Sequence, residues 1–186
     1  MTYSIRLAQL SDLPAFAQIE LNAGDLFKTV GLDKLAGDFA DPDFVASFIR
    51  SGGAFVAVHA DGNVVGFALS FALDGSLHLQ EMSVDPAHGR KGLGGRLLDA
   101  IDAKAREESY ARTTLSTFAD IPWNALFYER HGYQIVAPAE WTPGFHILRE
   151  HEAQSGLPVE RRCIMEKKDQ AHLRRANYKR EKTERT

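Results

Sequence analysis

Between Asp85 and Ile101 the chain reads DPAHGRKGLGGRLLDAI, in which glycines and basic residues run into an apolar helical pattern. A helix that begins just after a strand exposes unpaired backbone N–H groups and the positive end of its dipole. Glycines let a phosphate reach those N–H groups with no Cβ in the way. Gly89, Gly92, Gly94 and Gly95 stand where the chain must turn, and Arg90, Lys91 and Arg96 add charge for phosphate oxygens. The stretch departs from two common glycine frames. No Gly-Lys-Ser/Thr follows, and Leu97 occupies the third glycine position of the dinucleotide pattern. The residues alone leave two readings open: a cradle for a phosphate-bearing ligand, or a tight turn that is basic.

Other reactive side chains carry less. Cys163 lies in RRCIMEK, a strand pattern that puts it on one face with Met165, and free cysteine is commonly buried. The seven histidines show no ligand spacing, so no metal site is expected. His88 and His131 read as turn and helix-end residues.

The elements that must position the glycine stretch follow from periodicity. YSIRLA reads as a first strand, and SDLPAFAQIELNA as a capped helix. Gly24 to Gly53 is harder to read, apart from DPDFVASFIRSG, a capped helix with a glycine stop. AFVAVHA and VVGFALSFA flank DGN, a hairpin signal, and LHLQEMSV is a strand ending at the glycine stretch. Leu93, Leu97, Leu98, Ile101 and Ala105 recur at helical spacing, and RTTLSTF reads as a strand. IPWNALFYERHGY is a short helix, GFHILREHEAQSGLP a longer one and VERRCIMEK a last strand. The order predicts one mixed α/β sheet with helices on its faces.

Composition bounds the rest. A chain of 186 residues with 44% apolar and 25% charged residues suits one soluble globular domain. No apolar run approaches the ~20 residues of a membrane span. MTYSIRLAQLSDLP lacks a signal-peptide pattern and Cys163 has no disulfide partner, so a cytoplasmic protein with no membrane partner is expected. The net charge of −3 divides unevenly, because residues 166–186 carry eight Lys/Arg against four Asp/Glu. We therefore expect a body at 1–167 and a basic tail at 168–186. An acidic body is a poor platform for phosphate backbones, so a nucleic-acid partner is not expected.

The run LQEMSVDPAHGRKGLGGRLLDAI resembles the acetyl-CoA signature of the GCN5-related N-acetyltransferase (GNAT) superfamily: a strand, a Pro-bearing turn, then [Q/R]-x-x-G-x-[G/A] opening a helix. The six positions here are Gly89-Arg90-Lys91-Gly92-Leu93-Gly94, with Gly89 where the family usually has Gln or Arg. STFADIPWNALFYERHGY is similar to the family's later motif, and AQLSDLPAFAQIE to its first helix; the resemblance covers roughly residues 3 to 167. It implies the GNAT (acyl-CoA N-acyltransferase) fold: a single mixed, mostly antiparallel sheet with a splayed parallel pair and helices on both faces.

The resemblance also implies roles. Acetyl-CoA is the expected acyl donor. Met82, Ser83 and Val84 would pair with its pantetheine arm, and the turn from Gly89 to Gly95 would hold its pyrophosphate, Gly89 included through its backbone, with Leu115 and Thr117 on the other lip of the cleft. Glu81 is the expected base that deprotonates the amine, and Tyr128 the acid for the departing thiolate, with Asn124 a cofactor contact. Each has a plainer alternative: Glu81 an ordinary strand carboxylate, Tyr128 a packing ring, Asn124 a helix cap, Trp123 a packing residue. Glu20, Phe27, Trp123 and Trp141 are the expected acceptor-lining residues. The acceptor is expected to be a small-molecule amine, and dimers occur in the family. A non-catalytic acyl-CoA-binding or regulatory module on the same fold is the alternative function.

Overall fold

The computed structural model describes residues 2–37 and 39–169. From residue 170 on, the basic tail read from the sequence lies outside the described residues. Seven strands form the mixed sheet expected from the sequence, in the order β1-β2-β3-β4-β5-β7-β6. Among the described residues the chain divides into two compact units, one of residues 2–71 and 79–101, the other of residues 72–78 and 102–169.

In the first unit β1 (Tyr3–Leu7) and β2 (Ala54–His59) pair antiparallel from Tyr3↔His59 to Leu7↔Phe55. β2 pairs with β3 (Val64–Leu73) through the expected hairpin, where Gly62 has φ 92° and the Asp61 carboxylate accepts from the Asn63 N–H at 2.9 Å. Two helices cover these strands. α1 (Leu13–Lys28) carries a proline in its first turn, and α2 (Pro42–Arg50) is capped by Asp41, whose carboxylate accepts from the Asp43 and Phe44 N–H groups. Phe16, Ile19, Val45, Phe48, Ala54, Val56, Phe67 and Leu69 form the core between them, with the Phe16 and Phe67 rings stacked at 4.4 Å.

α1 runs past the point where the sequence pattern ends, through Gly24 to Lys28. A Cβ on Gly24 would lie 3.2 Å from the Leu35 carbonyl oxygen. The glycine that looks like a helix breaker is thus a contact that lets the turn at 33–35 pack against the helix.

β4 (Ser76–Val84) ends in a 3-10 turn at Pro86–His88, and α3 (Leu93–Glu107) begins five residues later. In the second unit β5 (Arg112–Phe118) pairs antiparallel with β7 (Arg162–Lys168), and β7 pairs with the short β6 (Gln134–Ile135). The strand read at VERRCIMEK starts later than expected because Val159–Arg161 is a 3-10 turn. Between β5 and β6 lies α4 (Ala125–Arg130).

α5 (Pro143–Gln154) is held by the β3–β4 turn: the Asp74 carboxylate accepts from the Gly144 N–H at 2.6 Å. Buried Glu152 on α5 pairs with Arg149 at 3.2 Å and with Arg162 at 2.9 Å, and the Arg162 guanidinium also donates to the Ser116 carbonyl. Cys163 is buried, and burial pushes its thiol up, which suits the structural role read from the sequence.

Two consequences can be measured. The Gly53 carbonyl accepts from both the Ser70 N–H (2.7 Å) and the Ser70 hydroxyl (2.9 Å), and a Cβ on Gly53 would stand 2.1 Å from the Ser70 carbonyl oxygen. Backbone must move to accept it, so Gly53→Ala should cost at least about 2 kcal/mol in urea unfolding. His78, fully buried, meets the Thr114 hydroxyl through Nδ1 at 2.9 Å, and burial lowers its pKa to about 4. A depressed histidine pKa contributes stability above the unfolded value, and that stability is lost as pH falls toward the folded value. The unfolding free-energy gap between wild type and His78→Asn should therefore shrink by about 3 kcal/mol between about pH 7 and pH 4.

Candidate active site

The glycine stretch is held at its start by Asp85. Its N–H donates to the Val65 carbonyl at 2.9 Å. One carboxylate oxygen accepts from the Ala87 N–H at 2.8 Å and the other from the Asn22 side-chain amide of α1 at 2.7 Å. Gly66 in β3 admits this strand end closely, since a Cβ there would lie 3.0 Å from the Ser83 carbonyl oxygen.

Beyond Asp85 the N–H groups divide into spent and uncommitted. His88 N–H donates to the Asp85 carbonyl and Gly89 N–H to the Pro86 carbonyl, at 2.8 and 3.0 Å. Gly89 therefore has no amide to offer a phosphate, contrary to the expectation that it joins the cradle through its backbone. Its φ of −64° needs no glycine, although a Cβ would sit 3.1 Å from the Pro86 carbonyl oxygen.

The turn proper is made by Arg90 (φ 55°) and Gly92 (φ 74°), both left-handed. Alternation of this kind points successive N–H groups into one concavity, an anion-binding nest. The Arg96 N–H donates to the Gly92 carbonyl at 3.1 Å, opening the helical ladder of α3. The N–H groups of Leu93, Gly94 and Gly95 precede that first bond and have no partner within the helix. Leu93 is 2% exposed, so its side chain anchors the helix in the core and its backbone alone faces the turn.

The three cations are not equivalent. Lys91 donates to the Ala87 carbonyl and lies over the Tyr3 ring, and Arg96 donates to the Tyr3 carbonyl. Arg90 is exposed.

Glu81 lies four residues before Asp85 on the half-buried end of β4, with Met82, Ser83 and Val84 following it. The Ser83 hydroxyl donates to its carboxyl at 3.4 Å, and the carboxyl of Glu20 from α1 is near enough to act on it. Burial, reinforced by the second carboxyl, holds the Glu81 pKa well above the usual carboxylate value. Glu20 is buried and accepts from the Ala40 N–H at 3.1 Å. The sequence nominated both residues, one as base and one as acceptor contact, without any signal that they lie close. Phe27, one helical turn beyond Gly24 on α1, is half-buried.

In the second unit, Asn124 opens α4. Its carbonyl accepts from the Phe127 and Tyr128 N–H groups, and its side chain makes no capping bond, so it is not spent as a cap. Tyr128 is half-buried, its ring 5.8 Å from that of Tyr133 and edge-on to it. Trp123 is 38% exposed, which argues against packing as its reason for being there. Trp141 is otherwise: it packs on Val136, Phe145 and Ile164, donates its indole N–H to the Val136 carbonyl, and lies under the Arg149 guanidinium. Its partners are those of a structural residue.

Among the described residues no cluster of His, Cys, Asp and Glu could hold a metal ion, and no helix is long and apolar enough to cross a membrane.

Residues 51–135 match a family described as "Acetyltransferase (GNAT) domain". The chain is 29% identical to the S-(2-succino)cysteine N-acetyltransferase of Bacillus subtilis, over 69% of this chain and 82% of that one. It is 31% identical to the uncharacterized protein YdhI of the same organism over 45% of this chain, and spans only 51% of that protein's length. Among solved structures it resembles the N-acetylglutamate synthase of Neisseria gonorrhoeae, complexed with coenzyme A and N-acetyl-glutamate. The TM-score is 0.67 at 20% identity, over 90% of this chain and 35% of that one, a likeness of fold.

Glu81→Gln tests the burial of the acidic pair. A raised carboxyl pKa contributes stability below its unfolded value, and that stability is lost as pH rises through the folded value. The melting temperature of Glu81→Gln relative to wild type should therefore climb as pH rises from about 4 to about 8.

Proposed function

We propose that this chain, which carries a GNAT acetyltransferase domain, transfers the acetyl group of acetyl-CoA to a primary amine of a small-molecule acceptor by direct attack. The observation that carries the reading is the left-handed turn at Arg90 and Gly92, followed by the uncommitted N–H groups of Leu93, Gly94 and Gly95. These amides, with Arg90 and Lys91, suit a pyrophosphate, and the strand end at Met82, Ser83 and Val84 suits an extended pantetheine amide chain. Gly89 contributes by letting the turn close, since its amide is already bonded.

The chemistry assigned to each side chain follows from its surroundings. An amine attacks only when deprotonated, and a base works best with a pKa near the operating pH. Glu81, with its raised proton affinity, answers that need better than an ordinary surface carboxylate. The backbone N–H of Met82 is the donor assigned to the tetrahedral oxyanion. Tyr128 supplies a proton to the thiolate as it leaves, and Asn124 keeps its side-chain amide for the cofactor. Glu20, Phe27 and Trp123 remain acceptor contacts in this reading, whereas the packing of Trp141 leaves it a supporting role. Cytoplasmic location and a homodimer remain expectations of the same reading.

The test is a panel of amines screened by release of free thiol. Acetyl-CoA and an acceptor should both be required, and Tyr128→Phe should lower kcat about 100-fold while leaving the KM for acetyl-CoA nearly unchanged. Normal turnover in that variant would overturn the acid assignment. Coenzyme A binding without transfer to any amine would favour a non-catalytic acyl-CoA-binding module.

A further inference from the structure

The glycine turn needs restraint from outside itself. Arg90 holds φ 55°, the left-handed region, where a residue other than glycine is strained and stays only if its surroundings over-determine it. Of the four polar side chains from His88 to Arg96, three are met by one residue of the edge strand, Tyr3. The Tyr3 hydroxyl is hydrogen-bonded to His88 Nδ1 at 3.0 Å, just before the strained residue. Its ring centroid is 5.7 Å from the Lys91 ammonium, just after it. Its carbonyl accepts from Arg96 Nη2 at 3.0 Å, in the first turn of α3.

The reach is long. β1 and β4 stand three places apart in the sheet, about 14 Å, so the turn that leaves β4 crosses the ends of β3 and β2 to arrive at β1. His59 marks the crossing. It faces Tyr3 in the β1–β2 register with ring centroids 5.1 Å apart, and its ring is 5.4 Å from that of His88. The His88 ring stands edge-on to Tyr3 at 5.9 Å. Three rings, from β1, β2 and the turn, thus close one end of the sheet. Lys91 is held a second time by the Ala87 carbonyl at 3.2 Å. Arg90 is exposed and has no tie to this cluster, which leaves its guanidinium uncommitted.

We propose that Tyr3 is a positioning residue for the acyl donor: it fixes both flanks of the left-handed turn, so that the amides of Leu93, Gly94 and Gly95 and the Arg90 side chain are set before acetyl-CoA arrives. The inference rests on the acetyltransferase reading and concerns the donor side alone. A loop that is ordered only on binding weakens the complex, and a loop already ordered avoids that cost. Tyr3 acts through His88, Lys91 and Arg96, so its loss weakens cofactor binding and leaves the bond-making step alone. Its three ties separate cleanly. The hydroxyl serves His88, the ring serves Lys91, and the backbone carbonyl that serves Arg96 survives any substitution of the side chain.

Calorimetric titration of the full chain with coenzyme A tests it. Tyr3→Phe keeps the ring and the carbonyl and loses only the His88 bond; it should raise the coenzyme A Kd at least about fivefold, the range of one net hydrogen bond. Tyr3→Leu, which also removes the ring from Lys91, should raise it further. His88→Phe should match Tyr3→Phe, and the double variant should bind no more weakly than either single one. With an acceptor from the amine panel, Tyr3→Phe should raise the acetyl-CoA KM by the same factor and leave kcat and the amine KM unchanged. An unchanged coenzyme A Kd in Tyr3→Phe, or multiplying effects in the double variant, would overturn the proposal. So would a fall in kcat and melting temperature with no selective loss of coenzyme A, the mark of a merely structural Tyr3. If wild type binds no coenzyme A, the acetyltransferase reading fails, and amide hydrogen exchange in the free protein still decides the role of Tyr3. The His88 and Gly89 N–H groups, bonded to the Asp85 and Pro86 carbonyls, should then exchange at least about fivefold faster in Tyr3→Phe, while the His59 N–H, bonded to the Asn63 carbonyl, should not. Unchanged exchange at His88 and Gly89 would overturn it.

Discussion

The Asp85 carboxylate is the joint on which the glycine turn of the first unit depends. One oxygen turns the chain out of β4 by accepting from Ala87, the other fastens α1 by accepting from Asn22, and its own N–H continues the pairing with β3 at Val65. Hydrogen bonds to a charged group contribute about 1.5–3 kcal/mol each, more than neutral ones. Three elements therefore meet at this one residue. The left-handed turn at Arg90 and Gly92 starts from a fixed point, and α1 is fastened on the end of β4 through Asn22.

Glu81 and Asp85 stand four residues apart at the end of one strand in opposite surroundings. Asp85 is met by N–H donors, which favour a carboxylate. Glu81 is met by another carboxyl and by burial, which favour the protonated form. A chain of 186 residues with a net charge of −3 has ample surface on which to solvate its acids. An acid held beside another acid is an arrangement with a cost, and it raises the proton affinity of Glu81.

The second unit buries its polar groups differently. Glu152 is paired with two arginines, and Asp102 is met by the Thr113 hydroxyl and the Lys167 ammonium. His78 stays neutral against Thr114. These groups are matched within the protein, which is the ordinary solution for buried charge.

Much of this was legible in the sequence, because the signals that reveal it are short-ranged. Alternation and helical spacing disclosed the strands, the DGN hairpin and the helix opening at Leu93; glycines among basic residues disclosed the turn. What the sequence left open depends on residues far apart in the chain. The use of Gly24 as a packing surface inside α1 comes from Leu35, and the packing of Trp141 comes from Val136, Phe145 and Ile164. The loss of Gly89 as a phosphate donor comes from where the Pro86 carbonyl points. Above all, Glu20 and Glu81 carry no local mark of each other. Periodicity placed one on a helix and one on a strand, but a proton affinity is set by what lies within a few ångströms, and tertiary packing alone decided that it would be a second carboxyl.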